Sequence, residues 1–320
     1  MTERQLMPLK YLHEHPEFSA LLAIVASEES IDPPSLIEKD YWIMHCLFGL
    51  QANNFKFQMK GGTSLSKGFG LINRFSEDID IQIEPPSNMK VYVGRNQDKS
   101  QHIQSRLDFY DWLAENIKIE GITVERDREF DDEKARSGGI RLFYTTTQDY
   151  PKDLKEGILL EVGFDDVTPN VEKNISSWAY DYASGKVEIK DNRAIAVACY
   201  HPGYTLVEKL QTVSTKYRKQ QESGGFPENF MRHYYDIFCL LKDKSIQGFI
   251  SSAEYNNHKQ KRFRTGDSLI IAENEAFIIS DLKTRTLYEQ EYQKSTTLYY
   301  REKPSLESIL SLIQEYSDRL

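Results

Sequence analysis

Residues 60–84, KGGTSLSKGFGLINRFSEDIDIQIE, are the stretch on which the fold of this chain turns. In the second half Ile79, Ile81 and Ile83 interleave with Asp78, Asp80, Gln82 and Glu84. Period-two patterning predicts a strand over about 78–84, with the isoleucines on one face and both aspartates on the other. Same-face neighbours along a strand lie about 7 Å apart, so two carboxylate heads can lean onto one divalent cation. Hard oxygen ligands of this kind suit Mg2+, whose remaining positions go to water and substrate phosphates. Upstream, residues 55–59 read as a strand end, followed by Gly61, Gly62 and a short helix over about 63–69. The glycines let the backbone approach a ligand closely, and a helix beginning at Thr63 or Ser64 aims free N–H groups at an anion. Alone, a glycine pair is usually a turn and a DxD usually a solvated strand face. In this order they make an anion cradle ahead of a cation-gripping strand, which is what a nucleoside triphosphate (NTP) with Mg2+ requires.

Outward from that stretch, residues 17–29 and 33–50 carry helical spacing, the second opened by Pro33 and Pro34 and placing Lys39 and Asp40 on its polar side. After a proline- and asparagine-bearing loop at 85–96, a helix is predicted over about 99–118. Strands follow at 121–126 (GITVER), 140–146 (IRLFYTT) and 158–164 (ILLEVGF). Residues 167–194 read as an exposed connection with a short strand at 186–190, and 194–200 as an apolar segment ending in the turn His201-Pro202-Gly203. Beyond it the pattern is helical. Thr205 and Glu208 form a capping box for one helix, 227–241 a second, and the C-terminal PSLESILSLIQEYSDRL another. In the helix at 227–241, Arg232 and Asp236 have the spacing of a surface ion pair. Residues 259–264, KQKRFR, are the most basic short run, either a phosphate-backbone contact or an exposed loop.

Composition sets the bounds. The 320 residues suffice for two packed lobes, with 39% hydrophobic and 28% charged residues, as in an ordinary soluble protein. No apolar run approaches the ~20 residues of a membrane span, and MTERQLMPLKYLHEH lacks the apolar core of a signal peptide, so a cytoplasmic protein is expected. Cys46, Cys199 and Cys239, widely spaced among apolar neighbours, read as reduced core thiols, and no spacing suggests zinc. The net charge of −9 argues against bulk affinity for nucleic acid and leaves room for a local basic face.

The strand–GG–helix–loop–DxD order is similar to that of the DNA polymerase β-type nucleotidyltransferase superfamily. The wording KGGTSLSK followed by RFSEDIDI more closely resembles its AbiEii/AbiGii-type branch, toxin components of prokaryotic type IV toxin–antitoxin systems. IEKDYWI (residues 37–43), LVEKLQ (206–211) and RHYYDIFCL (232–240) resemble further phrases of that family, in the expected order.

The resemblance implies an α/β (α+β) fold, with a polymerase β-type core and mixed sheet flanked by helices in residues 1–200, N-terminal helices included. A mostly helical lobe at 201–320 would complete the nucleotide site. It implies that Asp78 and Asp80 hold Mg2+, in a two-metal site, with a third carboxylate, Glu161, from the strand beside them. The family more often has Asp there, which leaves Glu161 as metal ligand or base; Asp165 and Asp166 are weaker candidates. Gly61, Gly62, Thr63, Ser64 and Lys67 would cradle the triphosphate and Lys209 would clamp it from the second lobe. Asp236 would be needed for activity by positioning Lys209 or the nucleotide. The implied function is transfer of an NMP from an NTP to RNA, with a tRNA 3′ end as the expected acceptor and a neighbouring antitoxin as partner. Small-molecule or protein nucleotidyl transfer, and a non-catalytic nucleotide-binding module, are the alternatives.

Overall fold

The computed structural model describes residues 9–94, 96–149 and 154–320. Residues 1–8, part of the stretch read for a leader, and Arg95 in the loop at 85–96 lie outside the described residues. The chain forms two compact units, one drawn from Met1–Gly68 and Ser76–Cys199, the other from Phe69–Phe75 and Tyr200–Leu320.

Unit 1 is built on a mixed sheet. Among the described residues it has seven strands: β1 (Phe57–Lys60), β2 (Ile79–Ile83), β3 (Ile122–Asp127), β4 (Ser137–Tyr144), β5 (Ile158–Gly163), β6 (Asn170–Ile175) and β7 (Ala194–Tyr200). They lie in the order β3-β4-β5-β2-β1-β7-β6. β2 is antiparallel to β1 and parallel to β5, while β1 is parallel to β7. The expected alternation in β2 is present: Ile79, Ile81 and Ile83 are fully buried, whereas Asp80 and Gln82 are half-buried. Each buried isoleucine contributes roughly 1.5–3 kcal/mol of apolar burial, which fixes the register and therefore the face on which Asp80 emerges. Helix α1 (Phe18–Glu29), helix α2 (Pro34–Ala52), the short α3 (Gly61–Thr63), α4 (Ser100–Asn116) and α5 (Trp178–Ala183) complete the unit. α4 packs on the apolar face: its Tyr110 ring lies 2.3 Å from where a Cβ on Gly138 would stand, so β4 needs glycine there.

Three expectations need correction. Residues 167–194 are not an open connection: they contain β6 and α5, and the strand expected at 186–190 is absent, leaving only an isolated bridge between Ser184 and Val187. β6 is an edge strand with mostly solvated side chains, so its NVEKNI sequence shows no alternation. α5 is started by Ser177, whose hydroxyl accepts the Tyr180 N–H at 3.1 Å. The second correction concerns the polar side expected to carry Lys39 and Asp40, which α2 does not have. α2 is buried on nearly every side, both residues included, because each charge meets a partner inside unit 1.

Unit 2 is helical, with α6 (Pro202–Ser223), α7 (Arg232–Leu241), α8 (Lys244–Phe249), α9 (Ala253–Arg262), α10 (Glu275–Ile278), α11 (Leu282–Ser295) and α12 (Leu306–Tyr316). Here the capping-box expectation is corrected. α6 begins three residues earlier than Thr205, with Pro202 at its first position and His201 as the cap, the ring Nδ1 accepting the Gly203 N–H at 3.1 Å. Residues 69–75 belong to this unit: the Phe75 N–H donates to Leu298 O at 2.8 Å and the Tyr300 N–H to Asn73 O at 3.2 Å. Among the described residues no helix is long and apolar enough to cross a membrane, and Cys46, Cys199 and Cys239 are free and buried.

Candidate active site

One row of residues crosses the sheet of unit 1 from strand to strand. Lys60 on β1 pairs with Asp80 on β2, Asp80 with Glu161 on β5, and Glu161 with Gly139 on β4. Paired residues project on the same face, so Asp80 and Glu161 stand side by side on neighbouring parallel strands. Burial and the adjacent Asp80 charge push the Glu161 carboxyl up to about 8, against the opposing pull of Lys60. Asp78, one residue before β2, is also raised, first by burial and then by Asp80, with Lys155 pulling the other way. Carboxylates crowded in this way favour either a shared proton or a cation between them. Asp165 lies outside the row, as a half-exposed partner of the Lys60 ammonium at 3.3 Å.

The donor set suits Mg2+ in a particular manner. Among the described residues no group of three or more His, Cys, Asp and Glu is arranged to hold a metal ion. Mg2+ does not require such a cage: it is usually held by one or two carboxylates, with waters and substrate phosphates filling the rest. Asp80 with Glu161, and Asp78 beside them, fit that ion as a ligand shared between protein and triphosphate.

The glycine pair sits directly against this row. Gly61 has φ +73°, and a Cβ on it would lie 1.9 Å from Asp80 Oδ2, so only glycine allows the carboxylate and the turn to occupy the same space. The helix predicted from Thr63 starts at Gly61 and passes into a π-helical turn over Ser64–Gly68, a form found frequently at functional sites. First-turn N–H groups have no acceptor within a helix, and those of residues 61–63 occupy such positions. The side chains nearby turn inward. Thr63 Oγ1 donates to the Asp78 carbonyl, Ser64 is buried, and the Lys67 ammonium pairs with Asp40 and lies 5.8 Å from the centre of the Trp178 ring.

Within unit 2, Asp236 is wholly buried and surrounded by cations. Arg74 grips it with two bonds, Nε to Oδ1 at 2.7 Å and Nη2 to Oδ2 at 2.8 Å, and Lys209 Nζ reaches Oδ2 at 2.6 Å. Burial would raise the carboxyl, but Arg74 and then Lys209 outweigh it and hold Asp236 well below the ordinary carboxylate range. Asp236 is thus the counter-charge of Arg74 and Lys209, and the surface pair with Arg232 suggested by spacing gives way to this buried network. A cleft of about 400 Å3 in the same unit, lined in part by Tyr217, Arg218, Asp267 and Asn274, contains none of the candidate residues. The basic run at 259–264 is partly engaged: Lys259 is buried with its ammonium on the Leu320 carbonyl, and Arg262 lies 3.5 Å from Glu208.

The family described as "Nucleotidyl transferase AbiEii toxin, Type IV TA system" matches residues 43–311, most of the chain. The chain belongs to this family. Among solved structures it is similar to JHP933 from Helicobacter pylori, with 16% identity over 89% of this chain and 94% of that one, and a TM-score of 0.37. An antigenic nucleotidyltransferase-like protein from Paracoccidioides brasiliensis is similar at 11% identity over 71% of this chain and 94% of that one, with a TM-score of 0.33. No curated protein matches the chain.

Buried charges support the site region of this AbiEii-family chain. Of the two readings for Lys39 and Asp40, a structural or interlobe role against one at the active cleft, the structural fits their contacts. Glu38, Lys39 and Asp40 in the IEKDYWI phrase are buried anchors. Glu38 accepts from the Thr147 N–H and the Thr146 hydroxyl at 2.8 Å, while Lys39 pairs with Glu77 at 3.2 Å. Asp40 holds Lys67 and also the Trp178 N–H at 3.0 Å. Together they fix the segments that present Asp78 and the glycine turn. Arg74, within RFSEDIDI, is the partner that sequence reasoning misses; its one local signal is an arginine flanked by Leu71, Ile72 and Phe75.

Proposed function

We propose that this chain is a Mg2+-dependent nucleotidyltransferase that moves an NMP from an NTP to an RNA acceptor and releases pyrophosphate. On this reading it acts as the toxin of a type IV toxin–antitoxin system in the cytoplasm, and an antitoxin encoded nearby is its partner. A tRNA 3′ end is the acceptor to test first. Membership of the AbiEii family supports nucleotidyl transfer by a toxin in general. The observation that carries the finer reading is the Asp80–Glu161 pair on adjacent parallel strands, with Gly61 opening space against Asp80 Oδ2.

In this scheme Asp78, Asp80 and Glu161 hold the cation that the NTP brings. Bound there, Mg2+ would supply charge stabilisation for the α-phosphate and the departing pyrophosphate and favour ionisation of the acceptor hydroxyl. Glu161, its carboxyl raised to about 8 by burial and by Asp80, stands where it can serve as a ligand of that cation or as the base for the acceptor hydroxyl. The N–H groups of Gly61, Gly62 and Thr63 receive phosphate oxygens, with Ser64 and Lys67 bracing that turn from behind. Lys209 enters through the family pattern as a phosphate contact, and Asp236 fixes where its ammonium stands.

The test uses purified protein, Mg2+, each of the four α-32P NTPs, total RNA and a purified tRNA pool, with Asp80→Ala and Lys209→Ala alongside. Label in tRNA with wild type alone supports the proposal and identifies the donor. Label in a protein band or a small molecule keeps the site and overturns the RNA acceptor. Tight binding of Mg–NTP with no transfer to any acceptor overturns catalysis in favour of a binding module.

A further inference from the structure

Lys155 faces Asp78 from the segment that leads into β5. Its ammonium lies 3.9 Å from Asp78 Oδ2, the two side chains being 41% and 31% exposed. At that distance and exposure the pair adds little to stability. Yet the backbone of Lys155 is held from the interior at both of its polar groups. Its N–H donates to Glu77 Oε2 at 3.0 Å and its carbonyl accepts from Lys39 Nζ at 2.6 Å. Lys39 and Glu77 are themselves an ion pair at 3.2 Å, with side chains 1% and 3% exposed. Burying two charges is costly, and a lysine that only solvates the surface needs no such support. Glu77 also directly precedes Asp78, so the same buried pair sets where the Asp78 carboxylate and the Lys155 ammonium begin.

We propose that Lys155 is a further phosphate-contacting residue of the nucleotide site, with Lys39 and Glu77 as the pair that positions it. The proposal rests on the reading of Asp78 and Asp80 as cation ligands. In the free protein the ammonium lies 3.9 Å from Asp78 Oδ2 and partly offsets its charge. Once Asp78 is engaged by a cation, that ammonium is released to a phosphate oxygen within its reach. A compact, flexible ammonium is suited to this exchange.

The two roles give opposite signs when Lys155 is removed, which a merely structural lysine would not. The probes are Mn2+ alone, followed by electron paramagnetic resonance, and Mg2+ with a non-hydrolysable α,β-methylene NTP, followed by calorimetry. Lys155→Met should bind Mn2+ at least as tightly as wild type, because a competing cation has gone, and should bind the Mg2+–analogue at least tenfold more weakly. Lys39→Met should weaken analogue binding in the wild-type background and change it less than twofold on top of Lys155→Met, as expected if it acts through Lys155. Asp80→Ala is the control for the underlying reading. If wild type binds the analogue, Asp80→Ala abolishes that binding and Lys155→Met leaves it unchanged, the Lys155 proposal alone is overturned. If Lys155→Met weakens both probes equally, the residue is structural and the proposal also fails. If wild type binds neither probe, the nucleotide-site reading falls and the proposal with it.

Discussion

Asp236→Asn tests whether the buried network of unit 2 is held together by charge. The carboxylate is fully buried and bonded by Arg74 and Lys209, whose own side chains are only 8% and 9% exposed. Asparagine preserves the shape and removes the charge, leaving two buried cations facing a neutral amide. Removing one partner of a buried ion pair typically costs about 3–5 kcal/mol. At about 3–6 °C per kcal/mol for a unit of this size, the transition that reports unit 2 should fall by about 10 °C or more in calorimetry at pH 7.5. The pH dependence has a definite sign. Because Arg74 and Lys209 hold the folded carboxyl below its unfolded value, its contribution is complete above that unfolded value, near 4. The gap between wild type and variant should therefore stay constant from about pH 5 to 8 and begin to close below about pH 4. Replacing all three groups by apolar ones (Arg74→Met, Lys209→Met, Asp236→Leu) should recover most of the lost stability, though not activity. A fall under 2 °C for Asp236→Asn, or a gap that widens in acid, would refute the reasoning.

Two further perturbations test unit 1. Glu161 is held up at about 8 in the fold against an ordinary 4.5, so wild-type stability in chelator should decline as pH rises between those values. Glu161→Gln should then melt with wild type at pH 4.5 and several degrees above it at pH 9, and a lower melting point at pH 9 would count against the crowded pair. Gly61→Ala places a Cβ at φ +73° and 1.9 Å from Asp80 Oδ2, so a loss of about 1–2 kcal/mol by urea titration should accompany loss of Mg2+–NTP analogue binding. Retention of both would show that the turn relaxes without disturbing Asp80.

What was legible in the sequence followed from patterns with a local cause. Alternation in β2 reports a half-buried strand because its isoleucines have nowhere else to go, and the glycine pair reports a close approach that only glycine permits. β6 was invisible for the converse reason: an edge strand with solvated side chains has no periodic burial to leave a trace. The α6 start was misread because Thr205 and Glu208 have capping-box spacing, yet Pro202, with φ already suited to a first turn, lies upstream and starts the helix there. The anchors were hidden by distance. Nothing local to Lys39 indicates that Glu77 waits 38 residues away, and nothing local to Asp236 indicates Arg74 162 residues away. Read by helix periodicity alone, a charged residue is placed on a solvated face. Its burial becomes acceptable only when a partner from elsewhere in the chain supplies the opposite charge.

That pairing bears on the acidic balance of the chain. Among the described residues the buried acids are Glu38, Asp40, Glu77 and Asp236, and the buried bases are Lys39, Arg74, Arg106, Lys209 and Lys259. Burial thus withdraws slightly more positive charge than negative, so it does nothing to relieve the acidity of the whole chain, net −9. Such a surface gives an RNA no broad attractive field. The RNA acceptor proposed above must then be gripped at a few points near the reacting hydroxyl, where fixed donors act at short range, rather than along an extended backbone. Modification of a chain end makes that same small demand, since one terminal hydroxyl and its nearest phosphates are all that the reaction has to hold.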